Sequence, residues 1–384
     1  MMSSATFQLN ATARSVAVIL LVSAARVAAA AVSPQEIAVT FKRISIEQGL
    51  SQSIVESITQ GGKGFMWFCT EDGVNCHDGY GFKILRNDPT DPNSLSHNQT
   101  MVIYEDKAGV LWIGTYNGGL NRYDLRTKMF RRFQHDSNNP ASLSHDIVRA
   151  IYEDRRGTLW VGTDGGLNML VQQPGGSGDG EPRERFVRLQ HDPEKLHSLS
   201  HNTVRAIFED REGTLWVGTD GGLNAFDRET GHFTSYRNDP QDPASLSYNE
   251  VRSIFEDRSG NPWIGTYDGG ISKLDRGRKP FVHYRRDPDN PNSLNEAIVW
   301  CFDEDALGVL WIGMYGGGLN KLDRKQNRYA HYVHDPRNPS SLSNNVVGLV
   351  IGDRSGLLWI GTDGGGICWF NPTTERFTCR STVI

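Results

Sequence analysis

The sequence predicts an all-β fold, a seven-bladed β-propeller of four-stranded antiparallel blades. Seven tryptophans, Trp67, Trp112, Trp160, Trp216, Trp263, Trp311 and Trp359, recur at gaps of 45, 48, 56, 47, 48 and 48 residues. The text around them repeats, as in VRAIYEDRRGTLWVGTDGGLN from Val148 and VRAIFEDREGTLWVGTDGGLN from Val204. Each unit holds four short strand patterns: Val-x-x-Ile, Leu-Trp-Val-Gly-Thr, Leu-Asn-x-Phe-Asp and Phe-x-x-Tyr. Four strands in a unit of this length make one propeller blade. Composition agrees, because 41 glycines and 10% aromatic residues suit many short strands joined by tight turns. The 384 residues would suggest two or three domains by length alone, but a ring of repeats grows without separate cores.

Residues 1–31 read as a secretory signal peptide. A weakly basic start is followed by the apolar run Ser15–Ala25 and the small-residue stretch Arg26–Ala31. Cleavage is expected between Ala29 and Ser33, leaving residues 32–384 as a single periplasmic propeller. The alternative is an uncleaved inner-membrane anchor, but Arg26 interrupts the span Ser15–Val32, and about 20 apolar residues usually cross a bilayer. Within the units, Asp-x-x-Gly-x-x-Trp recurs in six of seven; in the first, Gly61 replaces the Asp. The Asp is expected to cap its own turn, the Gly to take a positive φ, and the Trp to pack between blades. A catalytic acid is needed once, so its repetition marks a structural role.

The 56-residue unit carries an insertion, Val171–Arg185, which reads as a flexible surface loop. Its glycines do not make a phosphate site, since no helix and no Gly-Lys-Ser/Thr follow. Thr40–Gln48 resembles a fourth, outer strand with no blade before it, and is expected to pair with the last blade and close the ring. The C-terminal Arg376–Ser381 resembles the same strand and competes for the place. Cys368 and Cys379 center a hairpin on Thr373–Thr374, which would let them face each other as a cross-strand disulfide in an oxidizing compartment. Cys69 and Cys76 are similarly placed about Asp72–Gly73; either pair could instead stay reduced. Cys301 is expected to be a buried free thiol.

The net charge of −5 gives no basic face for nucleic acid. No His-Glu-x-x-His, Gly-x-Ser-x-Gly or Walker loop is present, so no catalytic residue, no cofactor and no metal is expected. The pairs His135–Asp136, His191–Asp192 and His334–Asp335 share one repeat position, which makes them turns rather than triads. Asp287–Asn292 has neither the Gly at the sixth place nor the Glu at the twelfth that a calcium loop needs.

Ligand chemistry is sought where the repeats disagree. One variable position follows the residue that opens the innermost strand: Glu56, Met101, Arg149, Arg205, Arg252, Trp300 and Gly348. A second follows the second strand: Glu71, Tyr116, Asp164, Asp220, Tyr267, Tyr315 and Asp363. Propeller topology puts both sets at one mouth of the central channel. Three adjacent Arg beside a Trp suit an anionic or carbohydrate ligand, and the mouth is expected to be locally positive. The competing reading is that Arg149 and Arg205 simply pair with Asp164 and Asp220.

The strings SLSHN, YEDRxGTLWVGT, DGGLN and NDPxDPxSLS resemble the two-component regulator propeller repeat of bacteria, from Phe41 to the end of the chain. The resemblance implies a periplasmic sensor region that binds a small molecule or saccharide and serves a membrane-bound output. In that family the outputs are histidine kinases, often hybrid, or diguanylate cyclases. Many members carry two propellers, an immunoglobulin-like domain and a transmembrane helix. The sequence here holds one propeller, so its output is expected in cis in a longer chain or in trans. Two rival readings are a propeller lyase, which should break the repeat with a His or Tyr–carboxylate cluster, and a protein-binding scaffold. His97, His145 and His201 repeat instead of breaking the pattern.

Overall fold

The computed structural model describes residues 42–173, 183–276, 281–338 and 340–370. All of them belong to the unit Ala38–Ile384, and the expected signal peptide lies outside the described residues. They form seven four-stranded antiparallel sheets. The first blade shows the plan, with strands Val55–Gln60, Met66–Thr70, Gly73–His77 and Phe82–Leu85 hydrogen-bonded in that order. The innermost strands of the others are Thr100–Glu105, Val148–Glu153, Val204–Glu209, Val251–Glu256, Val299–Glu304 and Val347–Gly352. Each packs on the next, and Val347–Gly352 packs on Val55–Gln60, so the ring is closed.

The apolar core is divided among the seven blade boundaries. At each, the repeat Trp packs on the first two strands of the following blade, as Trp160 does on Val204, Ile207 and Leu215. Trp359 of the seventh blade completes the circuit against Val55, Ile58 and Phe68 of the first. Blades approach closely because the second strand carries Gly where a side chain would collide. A Cβ on Gly218 would stand 2.6 Å from Val251 Cγ1 of the next blade.

The Asp-x-x-Gly-x-x-Trp turns are built as the sequence implies. In the third blade Asp154 Oδ1 accepts the Arg156 and Thr158 N–H groups, and Oδ2 accepts Trp160 Nε1 at 2.8 Å. Gly157 sits at φ +80°, a conformation Gly adopts without strain. The repeated histidines are structural too. His135, His191 and His334 place Nδ1 2.7–2.8 Å from the Leu143, Leu199 and Leu342 carbonyls.

Lys42–Ile44 is the outer strand of the last blade, antiparallel to Gly366–Phe370, as ring closure requires. The strand is shorter than Thr40–Gln48, because a capping box from Ser45 and Gln48 turns Ile46–Gln48 into a 3₁₀ helix. Arg43 therefore stands opposite Cys368. That removes the premise of a Cys368–Cys379 pairing, and Cys379 and Arg376–Ser381 lie outside the described residues. Cys69 faces Val74 rather than Cys76, because the hairpin turns tightly at Glu71–Asp72. Cys69, Cys76 and Cys301 are buried free thiols. Burial pushes Cys69 and Cys301 up to about 12. The insertion also departs from expectation. Val171–Gln173 and Arg183–Arg185 are paired strand residues that lengthen the hairpin, and only residues 174–182 lie outside the description.

Candidate channel-mouth site

Every innermost strand carries one irregularity, and it falls at the same place. Register shifts lie between Val55 and Ser57, Thr100 and Val102, Val148 and Ala150, Val204 and Ala206, Val251 and Ser253, Val299 and Cys301, and Val347 and Leu349. The residue skipped in each blade is Glu56, Met101, Arg149, Arg205, Arg252, Trp300 or Gly348. A β-bulge takes its residue out of the ladder and re-aims the side chain. These seven residues together line one depression of about 200 Å³ at the ring axis. The first variable set is therefore the bulge set, which explains why it varies: it serves neither the ladder nor the blade boundaries.

The second set meets it from the same face. The N–H groups of Tyr116, Asp164, Asp220, Tyr267, Tyr315 and Asp363 donate to the carbonyls of Gln99, Ile147, Thr203, Glu250, Ile298 and Val346, each the residue just before an innermost strand. Side chains from the two sets pair in four consecutive blades. Arg149 Nη2 donates to Asp164 Oδ2 at 2.9 Å, and Arg205 Nη2 to Asp220 Oδ2 at 3.0 Å. The Arg252 guanidinium lies 4.9 Å from the Tyr267 ring centroid, and the Trp300 and Tyr315 rings are 4.8 Å apart. Elsewhere Glu71 accepts Gln52 Nε2 at 3.1 Å and Gln99 Nε2 at 3.3 Å instead of meeting an arginine.

The mouth is not locally positive. Arg149 and Arg205 are held by Asp164 and Asp220, and Glu250 pairs with both Arg205, at 3.5 Å, and Arg252. With Glu56, Glu71 and Asp363 across the ring, three guanidinium groups meet six carboxylates. Glu250 belongs to neither variable set, since it precedes the innermost strand. Its signal is an acid where the other six blades carry Ile54, Gln99, Ile147, Thr203, Ile298 and Val346. Arg252 Nε and Trp300 Nε1 are buried donors without an acceptor among the described residues. No cluster of three metal-ligating side chains occurs among the described residues.

A two component regulator propeller model matches residues 94–117, 142–165, 198–221 and 245–268. Each match runs from the Ser-Leu-Ser loop through the innermost strand to just past the second variable position. Four of the seven blades thus carry the two-component regulator propeller repeat. It is 31% identical over 193 residues to histidine kinase P4 of Formosa agariphila, a stretch covering 48% of this chain and 13% of that protein. Its structure is similar to the extracellular domain of the B. thetaiotaomicron protein BT3049, described as a hybrid two component system. That likeness has TM-score 0.71 and 28% identity, over 86% of this chain and 41% of that one. The propeller thus spans less than half of either relative. Virginiamycin B lyase from Staphylococcus aureus matches at TM-score 0.58 and 16% identity, covering 86% of this chain and 98% of the lyase, a likeness of fold alone. No helix among the described residues is long and apolar enough to cross a membrane.

Proposed function

We propose that this two-component regulator propeller is the periplasmic ligand-sensing part of a bacterial signalling receptor, exported by residues 1–31, and not itself an enzyme. Its ligand is a small polar molecule or saccharide held at the channel mouth, and its output is membrane-bound, in cis in a longer chain or in trans. One observation carries the reading: seven residues of five kinds, Glu, Met, three Arg, Trp and Gly, leave seven otherwise repetitive strands at the same bulge and converge on one depression. A ring needs no such diversity to close. The balance of charge there favors a ligand rich in hydroxyls, which can share the Arg–carboxylate pairs as donor and acceptor, over a plain anion that must compete with Asp164, Asp220 and Glu250. Trp300 and Tyr315 offer faces for stacking. A rearrangement bringing ligand oxygens to Arg252 Nε and Trp300 Nε1 would recover the roughly 1–3 kcal/mol that each unmet buried donor costs.

Calorimetric titration of wild type, Arg252→Ala and Trp300→Ala against neutral and acidic oligosaccharides tests this. Arg252→Ala should weaken binding by about 1.5–3 kcal/mol, the range for a charged hydrogen bond. Trp300→Ala should weaken even a neutral ligand, and added salt should matter little. Equal binding by all three proteins would move the site elsewhere.

A further inference from the structure

The fourth to sixth blades each carry an arginine just after the third strand: Arg228, Arg276 and Arg324. Each reaches across a blade boundary to the same two acceptors, the turn Asp of the preceding blade and the Glu that ends its own innermost strand. Arg228 donates to Asp154 Oδ2 at 2.6 Å and to Glu209 Oε1 at 2.9 Å, with its guanidinium 5.8 Å from the Trp160 ring centroid. Arg276 repeats this with Asp210 at 2.7 Å and Glu256 at 3.3 Å, and Arg324 with Asp257 and Glu304. Three boundaries of this ring are thus built guanidinium sites.

The boundary between the second and third blades has the same acceptors. Trp112 Nε1 donates to Asp106 Oδ2 at 2.8 Å, as Trp160 does to Asp154. Glu153 Oε2 accepts the Lys107 N–H at 2.9 Å, as Glu209 Oε2 accepts that of Arg155 at 2.7 Å. What differs is the arginine. Its place in the repeat is Gln172, because the third strand of this blade runs on to Gln173 in the lengthened hairpin instead of turning. Among the described residues the partners of Asp106 are the N–H groups of Ala108, Val110 and Trp112, with no cation among them. Lys107 Nζ stays 3.9 Å from Glu153 Oε1 and donates to the Asp154 carbonyl at 2.8 Å. The Glu153 side chain is only 10% exposed, and a cavity of about 400 Å³ opens over it, lined also by Asp106, Trp112, Met169 and Gln172.

We propose that this cleft binds a guanidinium group from outside the fold, carried by a free small molecule or by an arginine of a partner segment. A planar fork of N–H donors matches two carboxylates set as these are; the Trp112 ring already has the Arg122 guanidinium 5.9 Å from its centroid, so the two carboxylates carry the recognition. A compact ammonium would reach one acceptor at a time. The site is separate from the channel mouth, so it stands or falls independently of the sensing proposal.

The probes are ethylguanidinium, its neutral isostere ethylurea, and an acetyl-Gly-Arg-Gly-amide peptide. They are titrated into the whole chain while the Trp112 indole N–H resonance, assigned through Trp112→Phe, is followed. Ethylguanidinium or the peptide should shift that resonance saturably, and ethylurea should not. Which of the two binds more tightly tells a small-molecule ligand from a partner segment. Glu153→Gln keeps an acceptor for the Lys107 N–H and should weaken binding about tenfold or more, the equivalent of one charged hydrogen bond. Gln172→Arg supplies the guanidinium from within and should block the probes while raising the melting temperature. No saturable shift with either guanidinium probe, or undiminished binding by Glu153→Gln, would overturn the proposal.

Discussion

Glu56 faces the channel, yet the walls of the ring strip part of its water. That desolvation, followed by the charges of Glu71 and Asp363, raises its pKa, while Arg149 pulls it down. A carboxyl raised in the folded state contributes its stability below the ordinary carboxylate range and loses it as pH rises through the folded value. Glu56→Gln should therefore match wild type in acid and exceed it at pH 7. The gain should stay below about 1 kcal/mol, because the group faces solvent; urea titrations at both pH values measure it. Asp154, Asp210 and Asp257 have the opposite sign. Burial would raise them, but hydrogen bonds from Trp160, Trp216 and Trp263, with those from neighboring N–H groups and arginines, hold them low. Their contribution is present at neutral pH and lost as pH falls through those depressed values. At this scale the sequence revealed the variable residues but not their balance of charge. Glu250 was missed because its position, before the strand, varies among apolar and polar residues and carries a charge once.

A blade turn concentrates several interactions on one side chain. Asp154→Ala would strip the caps from Arg156 and Thr158, leave Trp160 Nε1 without its acceptor, and take one partner from Arg228. Breaking such a buried network should cost about 3–5 kcal/mol, read as the loss in urea unfolding free energy. The strands themselves were legible, because the repeated Leu-Trp-Val-Gly-Thr and its alternation leave little choice of register. The lengthened hairpin was not. Gly-rich text between Val171 and Arg185 reads as loop, and nothing local announces that both flanks continue the ladder. The bulge was equally hidden, since it comes from a mismatch of two strands and leaves only variability in one of them.

Around the whole ring, each Trp belongs to one blade and its contacts to the next, so no blade owns a complete core. The strand Lys42–Ile44 completes the seventh sheet, and Ile44 is 6% exposed against Trp359 and Ile367. Ile44→Ala should destabilize the protein by about 2–5 kcal/mol. Hydrogen exchange should speed up first in the first and seventh blades, and slow amides in the third and fourth should change least. Seven units and a closed ring could be read from the tryptophan spacing. That the first strand would close it followed from an outer strand with no blade to join.

A polypeptide is made from its N-terminus, and this ring closes with the earliest of its described strands. Lys42–Ile44 has its partner, Ile367–Trp369, near the far end of the described chain. Until those last residues leave the ribosome, the seventh blade lacks its edge and the first lacks a neighbor. Completion of the ring therefore waits until Ile367–Trp369 have been made, however early the middle blades form. For the exported chain proposed above, such a delay is useful: the strand pairing that closes the ring becomes available only after the other six blades have been made.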